Sequence, residues 1–501
     1  MDETFLAHFR CPDSMASFQL TGTLGKESGY FRFGEGVDCY GRSSAGTLSQ
    51  NYRIHLDDVS SAASVDGAHI TLPFDPDEVA NNLRCEWYTG QMRADQTHFG
   101  GNAVIRAIYY LGRPAFPVHF RRILQRIRLQ GGTHTPFPHW PVDRSVDRLF
   151  EELMKLVLKS RANVPVPFIW FWPEGAPAAA IVTHDVETEL GRDFCSQLMD
   201  MDDEFGVKSS FQIVPEKRYE VTPAFLEEIR RRGFEVNVHD LYHDGNLFRN
   251  REEFLHQAEK INSYIKKFNA DGFRSGALYR NLRWYDAFKF SYDMSVPNVG
   301  HLDAQTGGCC TIMPYFVGKI LEIPVTATQD YSLFHILGSF STTLWEEQCR
   351  MILAGFGLIN VIVHPDYIIN KKSNNAYRRL LGHLAYLREK LFVWTTLPGE
   401  INKWWRIRSQ LSLVQDGQGW RIEGEGNERA RIAYAHLVDG RLQYSFDPAA
   451  HPRATAGGPE SIARTGPAQK DDGLRRSPHT LIRNSIKSSL LSLKPDPTPC
   501  Q

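Results

Sequence analysis

The chain has 501 residues, so we expect two or three domains rather than one. Its hydrophobic content of 42% is ample for large cores, and its net charge of −1 gives no overall field that would favour nucleic acid. The eight cysteines form no C-x-x-C pair, which argues against a zinc ribbon or a disulfide scaffold. We see no signal peptide and no run of 18 apolar residues, so we expect a cytoplasmic protein.

Residues 1–95 alternate short apolar runs with Gly, Ser and Asp, which predicts a β-rich N-terminal unit. We expect residues 96–165 to form a basic helical connector, because positions 96–142 contain no Asp or Glu. The arginines of this stretch are Arg106, Arg113, Arg121, Arg122, Arg126 and Arg128. A basic amphipathic helix can lie on an anionic membrane surface or hold phosphates. Alternatively, these arginines pair with acids elsewhere in the fold.

From residue 166 to 395, short apolar runs alternate with helical stretches. We predict strands at 179–183, 210–214, 235–238, 272–274, 291–296, 321–325 and 359–363. We predict helices at 192–204, 223–231, 251–267, 343–354 and 375–390. This alternation predicts a parallel sheet, either open or closed into a barrel, with the functional residues just after the strands.

The sequence pattern changes again after residue 395. Residues 396–447 predict a small C-terminal β unit, with a hairpin signal at Asp439-Gly440. Residues 448–501 are rich in Pro, Gly, Ser and Arg, and we expect them to form a disordered tail.

Candidate metal ligands follow two of the predicted strands. Asp185 and Glu187 are two residues apart, a spacing that points both side chains to one face of a strand. His239 and His243 follow the strand at 235–238. One carboxylate and two imidazoles provide three protein ligands and leave a metal one open position, as hydrolytic sites require. The other acid is then free to act as a base.

Each half of this pattern has a simpler interpretation. Acids favour the first turn of a helix, so Asp185 and Glu187 could cap the helix that follows. Two histidines four residues apart are common by chance. A zincin would need H-E-x-x-H within a long helix, whereas Asp240 occupies the second position and Gly245 discourages a helix. An apolar strand ending in D-x-E, in the same segment as H-x-x-x-H, favours the metal site.

Two further strands end in residues that could take part in chemistry. Arg274 could orient a carboxylate bidentately, or form a surface salt bridge of little energetic value. His364 follows the strand at 359–363 and is a candidate general acid, although it could also be a satisfied core histidine. His184 points away from the face that carries Asp185, so we expect it to pack in the core.

The order of these residues resembles that of the polysaccharide deacetylases, carbohydrate esterase family 4, which share the NodB-homology domain. The resemblance covers about residues 175–370. T-H-D-V-E at 183–187 takes the place of the family's T-F-D-D-G motif. Its second motif reads H-[ST]-x-x-x-H or, in a variant, H-[ST]-x-x-H, and His239 and His243 match it with the spacing of the variant. Arg274 matches the arginine of the third motif, and residues 362–364 loosely match L-x-H.

Three departures accompany this resemblance. Val186 stands where the family has its second acid, so that role should pass to Glu187. Asp240 replaces the usual Ser or Thr, and S-G-A at 275–277 replaces x-P-x-G.

The resemblance implies an α/β fold, a distorted (β/α) barrel of about seven strands, here with smaller flanking β-rich units. It implies a divalent metal, most simply zinc, held by Glu187, His239 and His243.

The resemblance also implies the catalytic roles. Asp185 would be the base, Arg274 would orient it, and His364 would be the general acid. An upstream aspartate would tune that histidine, with Asp330 as the first candidate and Asp303 as the second.

These expectations predict a metal-dependent hydrolase that removes an N-acetyl group from an amino sugar or glycan intermediate. A cytoplasmic sugar nucleotide or a lipid-linked glycan is the expected substrate, and the arginines at 106–128 would contact a phosphate or a membrane surface. The oligomeric state stays open. The alternatives are a non-catalytic glycan-binding protein on a decayed deacetylase domain, a metal amidohydrolase for a non-sugar amide, and a non-haem iron oxygenase, whose site also uses two His and one carboxylate.

Overall fold

The computed structural model describes residues 1–52, 55–89, 135–417 and 419–448. The six arginines at 106–128, most of the predicted connector and the tail from 449 onward lie outside the described residues. No helix in these ranges is long and apolar enough to cross a membrane. The division of the chain into five segments stays a prediction.

The N-terminal residues form short strands and helices around an aromatic core. In chain order these are α1 (Glu3–Phe9), β1 (Phe18–Leu20), β2 (Gly29–Arg32), β3 (Asp38–Gly41), β4 (Ser64–Asp66), β5 (His69–Leu72) and α2 (Pro76–Arg84). β5 pairs in parallel with β1 and antiparallel with β4, while β2 and β3 form a hairpin. Sequence analysis predicted no helix here, although Asp75 caps α2 by accepting a hydrogen bond from the Asp77 amide, and Pro76 occupies its first turn.

A long helix and a short strand lead from this region to the barrel. They are α3 (Ser145–Ser160) and β6 (Val166–Ile169). One face of α3 is buried, and all four residues of β6 are buried. β6 does not join the barrel but pairs with a strand near the C-terminus, described below.

The barrel alternates strands and helices as predicted. Its strands are β7 (Ala179–Val186), β8 (Ser210–Ile213), β9 (Glu235–His239), β10 (Gly272–Arg274), β11 (Tyr292–Asp293), β12 (Tyr315–Val317), β13 (Ile320–Glu322), β14 (Leu358–Ile362) and β15 (Trp394–Thr395). Its helices are α4 (Glu189–Glu204), α5 (Pro223–Arg231), α6 (Arg251–Lys267), α7 (Thr343–Ala354) and α8 (Lys371–Leu391). Every predicted strand and helix of this region is present, with ends that shift by a few residues.

The strands lie in one curled sheet with the order β12-β13-β11-β10-β9-β8-β7-β14, and β15 also pairs with β7. All pairs are parallel except β12 with β13. The sheet curls back on itself, because the amides of Thr326 and Ala327, beyond β13, donate to the carbonyl of Asn360 in β14 (3.3 and 3.1 Å). The predicted fold class, a distorted (β/α) barrel with smaller flanking sheets, is confirmed.

The C-terminal unit begins with a helix that the sequence analysis did not predict. Its elements are α9 (Pro398–Gln410), β16 (Ser412–Asp416), β17 (Gly419–Glu423), β18 (Ile432–Val438) and β19 (Arg441–Ser445). The predicted hairpin is present, since Val438 pairs with Arg441 across Asp439 and Gly440, which both have positive φ. β18 also pairs with β6, so residues 166–169 extend the C-terminal sheet.

A buried ion pair joins the N-terminal unit to the barrel. Arg280 donates from Nε (2.6 Å) and Nη2 to the two carboxylate oxygens of Glu86, and the Gly308 amide donates to the same carboxylate (2.6 Å). The third nitrogen, Nη1, donates to the Leu278 carbonyl (2.8 Å). Both side chains are almost fully buried. Glu86, Arg280, Gly308 and Leu278 are called the interface cluster below.

A second buried arginine ties the two ends of the described chain together. Arg408 of α9 donates to the carbonyls of Trp170 (3.0 Å), Ile169 (2.7 Å) and His8 (2.7 Å). Burial lowers the pKa of this guanidinium to about 9. The start of the chain is therefore held by a residue 400 positions away.

Candidate metal centre and active site

The candidate site residues lie at the carboxyl edge of the barrel sheet. Asp185 lies near the end of β7, a strand whose eight residues are all buried, and Glu187 follows it directly. His239 of β9 is in register with Arg274 of β10. His364 lies just beyond β14, which is in register with β7 on the other side. Parallel pairing therefore brings these strand ends to one place.

The structure brings Glu187, His239 and His243 together. The Glu187 Oε1 atom lies 2.9 Å from His243 Nε2 and 3.7 Å from His239 Nε2. One ligand atom from each of the three residues lies within 4.8 Å of the other two. Burial opposes ionisation of Glu187, but the imidazoles of His243 and His364 outweigh it and hold the pKa of the carboxyl well below its ordinary value.

The donor atoms of this group fit a divalent cation. The Nδ1 atom of His239 is 3.0 Å from the Arg274 carbonyl, which can accept only a hydrogen bond, so Nδ1 carries the proton and Nε2 is left as the ligand atom. The Nε2 atoms of His239 and His243 are buried and make no hydrogen bond within the described residues. Buried imidazole nitrogens that face a carboxylate at ion-pair distance without a hydrogen bond of good geometry are the arrangement that a Zn²⁺-type ion would satisfy.

Asp185 is held by Arg274. The Nη1 atom of Arg274 donates to Asp185 Oδ1 (2.6 Å) and to Thr183 Oγ1 (2.8 Å), while Nε donates to the Met294 carbonyl (2.9 Å). Burial disfavours the charged carboxylate, but Arg274 and His239 outweigh it and lower the pKa of Asp185. The bidentate contact that we expected is wrong, because Arg274 reaches Asp185 through Nη1 alone, while Nε donates to Met294 and the buried Nη2 has no hydrogen-bond partner among the described residues.

His364 is paired with Asp330, the first of the two predicted partners. The His364 Nδ1 atom lies 2.6 Å from Asp330 Oδ1, and the His364 amide donates to Oδ2 (2.8 Å). The His364 Nε2 atom faces the site, 3.3 Å from Glu187 Oε1. Burial lowers the pKa of this imidazole, but Asp330 and Glu187 outweigh it, and the pKa lies well above the ordinary value.

Asp303, the second candidate, makes a different contact. Its Oδ1 atom accepts a hydrogen bond from Gln329 Nε2 (2.7 Å), so it reaches the chain next to Asp330 rather than His364. Burial raises the pKa of Asp303 to about 6.

Asp240, which replaces Ser or Thr of the motif, shapes the loop that carries His243. Its carboxylate accepts from the amides of Leu241 (2.6 Å) and Gly276 (3.2 Å). A Cβ atom at position 276 would lie 2.4 Å from Asp240 Oδ2, so any other residue there would push the Asp240 carboxylate away from the Gly276 amide. Asp240 and His243 both have positive φ, a strained conformation that these contacts hold in place. The sequence analysis noted Asp240 only as a departure from the motif.

The side chain of His184 makes two polar contacts, whereas the sequence analysis predicted only that it packs in the core. Its Nδ1 atom lies 3.0 Å from the carbonyl of Val363, the residue before His364, and its Nε2 atom lies 3.1 Å from Asp202 Oδ2. Asp202 also accepts from Ser209 Oγ (2.6 Å) and from the Tyr377 hydroxyl. This network connects the strand of Asp185 to the strand end that carries His364. In the sequence, the only indication of this network is Asp202, an acid 18 residues after His184 that lies on the buried face of α4.

The simpler interpretation of the two acids as a helix cap is wrong. α4 begins after Thr188, whose Oγ1 accepts a hydrogen bond from the Gly191 amide (3.0 Å). Asp185 and Glu187 therefore remain available to the site.

No family model matches the sequence, and no curated protein matches it. Several solved structures do. A proposed polysaccharide deacetylase from Mycobacterium smegmatis is 17% identical, with a TM-score of 0.40, over 50% of this chain and 98% of that one. The peptidoglycan deacetylase PdaC from Bacillus subtilis is 12% identical, with a TM-score of 0.28, over 45% of this chain and 90% of its own.

A family 4 acetyl xylan esterase from Clostridium thermocellum, solved with a cobalt ion, is 13% identical, with a TM-score of 0.29. It matches over 45% of this chain and 91% of its own. These proteins are of the same kind as the family that the motifs resemble. Because the identities and TM-scores are low, we base the function on the geometry of the site itself.

Proposed function

We propose that this protein is a metal-dependent deacetylase that hydrolyses the N-acetyl amide of an amino sugar or glycan intermediate. The supporting observation is one arrangement at the carboxyl edge of the barrel. A carboxylate with a lowered pKa, Asp185, and an imidazole with a raised pKa, His364, both lie beside the donor group of Glu187, His239 and His243. Two groups whose pKa values are shifted apart in this way suit a base and an acid in one reaction.

Glu187, His239 and His243 would hold the cation, most simply zinc. When bound, a divalent cation of this kind acts as a Lewis acid and makes water a better nucleophile at neutral pH. Three protein ligands leave room for water and for the substrate carbonyl.

Asp185 acts as the base, which takes a proton from the attacking water. Its contact with Arg274 keeps the carboxylate charged and fixes its direction, so it accepts a proton from the water that attacks the amide carbon. The Arg274 carbonyl also fixes the ring of His239, so a single residue positions both the base and a metal ligand.

His364 acts as the general acid, which donates a proton to the leaving amine. Asp330 holds its Nδ1 atom, so Nε2–H points into the site and donates to the amide nitrogen as the C–N bond breaks. Water adds to the carbonyl carbon, the C–N bond breaks, and the products are acetate and a protonated amine. An amine leaves poorly without that proton.

The test combines metal content with acetate release. We expect close to one equivalent of zinc or another divalent ion in the purified protein, lost in His239→Ala and in His243→Ala. His69→Ala, at an exposed position of β5, is the control and should keep the ion. We expect acetate release from N-acetylated amino sugars by the wild type and by the control, and none from the two site variants.

Equal metal content in all four proteins would contradict the proposed site. Metal binding without acetate release from any acetylated sugar or simple acetamide would favour a decayed, glycan-binding domain. Release from a simple acetamide but from no sugar would favour the amidohydrolase alternative.

A further inference from the structure

The carboxylate of Glu187 faces three imidazoles rather than two. Its Oε1 atom lies 2.9 Å from His243 Nε2, 3.3 Å from His364 Nε2 and 3.7 Å from His239 Nε2. The donor atoms therefore form two groups that share this residue. The first is Glu187 with His239 and His243, and the second is Asp185, Glu187 and His364, again with one atom from each within 4.8 Å of the others.

His364 is oriented in the way that metal-binding histidines are. Such a histidine usually donates one ring N–H to a carboxylate or carbonyl, and the other nitrogen then faces the ion. His364 contacts Asp330 through Nδ1 (2.6 Å), just as His239 contacts the Arg274 carbonyl (3.0 Å). The two imidazoles thus present their Nε2 atoms to the same carboxylate oxygen, at 3.7 and 3.3 Å.

Several carboxylates in or next to the second group provide negative charge for a second cation. Asp185, Glu187 and Asp330 lie in or next to the second group, and Asp366 follows His364 by two residues. The Oδ1 atom of Asp366 is buried and has no hydrogen-bond partner within the described residues. Arg274 and the imidazole of His364 offset part of this negative charge, and a second ion at His364 Nε2 would take the place of the proton there.

We propose that Asp185, Glu187 and His364 form a second divalent-cation site, which shares Glu187 with the first. The expected ion is zinc or another metal that accepts mixed oxygen and imidazole ligands. A metal here would occupy the base and the acid, so we expect it to inhibit; this consequence rests on the proposed function, whereas the binding itself does not. Arg274 and the first ion both repel the second ion, so it should bind more weakly.

The test is the number of zinc ions bound by the chelator-treated full-length protein in a calorimetric titration with zinc chloride. We expect two binding events in the wild type and in the His69→Ala control, and only the tighter one in His364→Gln. Acetate release by the wild type should rise up to the first equivalent of zinc and fall as the second binds.

X-ray absorption at two equivalents of zinc locates the second ion. Ions that share one carboxylate lie about 3.5–4 Å apart, so a zinc–zinc distance in that range is expected in the wild type and not in His364→Gln. One event in the wild type, or two events in His364→Gln, would overturn the second site and leave the proposed function standing. No event at all would instead contradict the proposed function, because the first site would be missing.

Discussion

The candidate site around Glu187 and the interface cluster around Glu86 both bury opposite charges, but they satisfy them differently. In the interface cluster, Arg280 directs three nitrogens at acceptors, and Glu86 also accepts the Gly308 amide. In the site, the Nε2 atoms of His239 and His243 make no hydrogen bond to any residue that the structure describes.

This difference separates a structural role from a chemical one. A buried polar atom without a partner costs about 1–3 kcal/mol, so a fold does not keep several in one place without compensation. In the interface cluster the compensation comes from the protein. In the site it would come from a cation and a substrate, and substitutions should therefore affect stability in one region and chemistry in the other.

The largest effect is expected in the site, from Asp185→Asn. The amide keeps the shape of the side chain but cannot accept the proton, so we expect kcat for acetate release to fall by about 10²–10⁴-fold. Metal content should stay close to wild type. The midpoint of urea unfolding should fall, because the amide still accepts a hydrogen bond from the buried Arg274 but no longer neutralises its charge. The exposed Asp66→Asn, in β4, is the matched control and should retain activity. Full activity in Asp185→Asn would remove it from the role of base.

Breaking the interface cluster should act on stability instead. Arg280→Met leaves the Glu86 carboxylate buried without its cation, so we expect the free energy of unfolding to fall by about 3–5 kcal/mol, measured by urea denaturation. Zinc content of the folded protein should not change. The double variant Glu86→Gln/Arg280→Met should recover much of the loss, because no unpaired charge remains. Loss of zinc without loss of stability would show that the two regions do not separate as we expect.

His184→Phe tests the boundary between the two regions. Phenylalanine is the residue of the family motif at this position, but here it would leave Asp202 with only Ser209 and Tyr377, so we expect a loss of about 2–3 kcal/mol in unfolding free energy. The lost contact to the Val363 carbonyl should also loosen His364, which lowers kcat more than it raises KM. His184→Gln, which can still hydrogen-bond, should recover part of both. An unchanged kcat in His184→Phe would confine this network to stability.

The smallest effect is expected for Asp303, outside both clusters. Its pKa is raised by burial from 3.8 to about 6, so the folded protein binds this proton more tightly than the unfolded chain. Stability should therefore fall as the pH rises from about 4 to about 6, by roughly 2 kcal/mol for this group.

Asp303→Asn removes that contribution, so the difference in unfolding free energy between variant and wild type should change across pH 4–6 and be flat above it. Asp147, whose pKa is also about 6, remains in both proteins and cancels in the difference. A constant difference from pH 4 to pH 8 would contradict the raised pKa of Asp303.

The barrel could be predicted from the sequence because its signals are local. Apolar runs such as β7 and β14 alternate with capped helices, and residues at the strand ends then fall at one edge by the geometry of parallel sheets. The same reasoning placed Asp185, His239, Arg274 and His364 together. The same reasoning did not predict contacts that depend on residues far away in the chain. The partner of His184 lies on another element, and the single contact from Arg274 to Asp185 depends on Thr183 and Met294.

The flanking units were harder to predict for the same reason. α9 is rich in Trp and Arg rather than in one clear apolar face, and its buried Arg408 becomes intelligible only beside the carbonyls of residues far away in the chain. β6 looks like the first barrel strand in sequence, yet it completes the C-terminal sheet.

Arg408 also has a consequence for synthesis. Its guanidinium fastens the carbonyl of His8, which leaves the ribosome some 400 residues earlier. During translation this hydrogen bond can form only after α9 emerges, whereas Phe5 and Phe9 of α1 pack against Phe18, Phe150 and Phe168, which are synthesised much earlier. A nascent chain stopped before residue 408 should therefore hold the C-terminal end of α1 less firmly, and the resistance of that end to proteases should rise once α9 has been made.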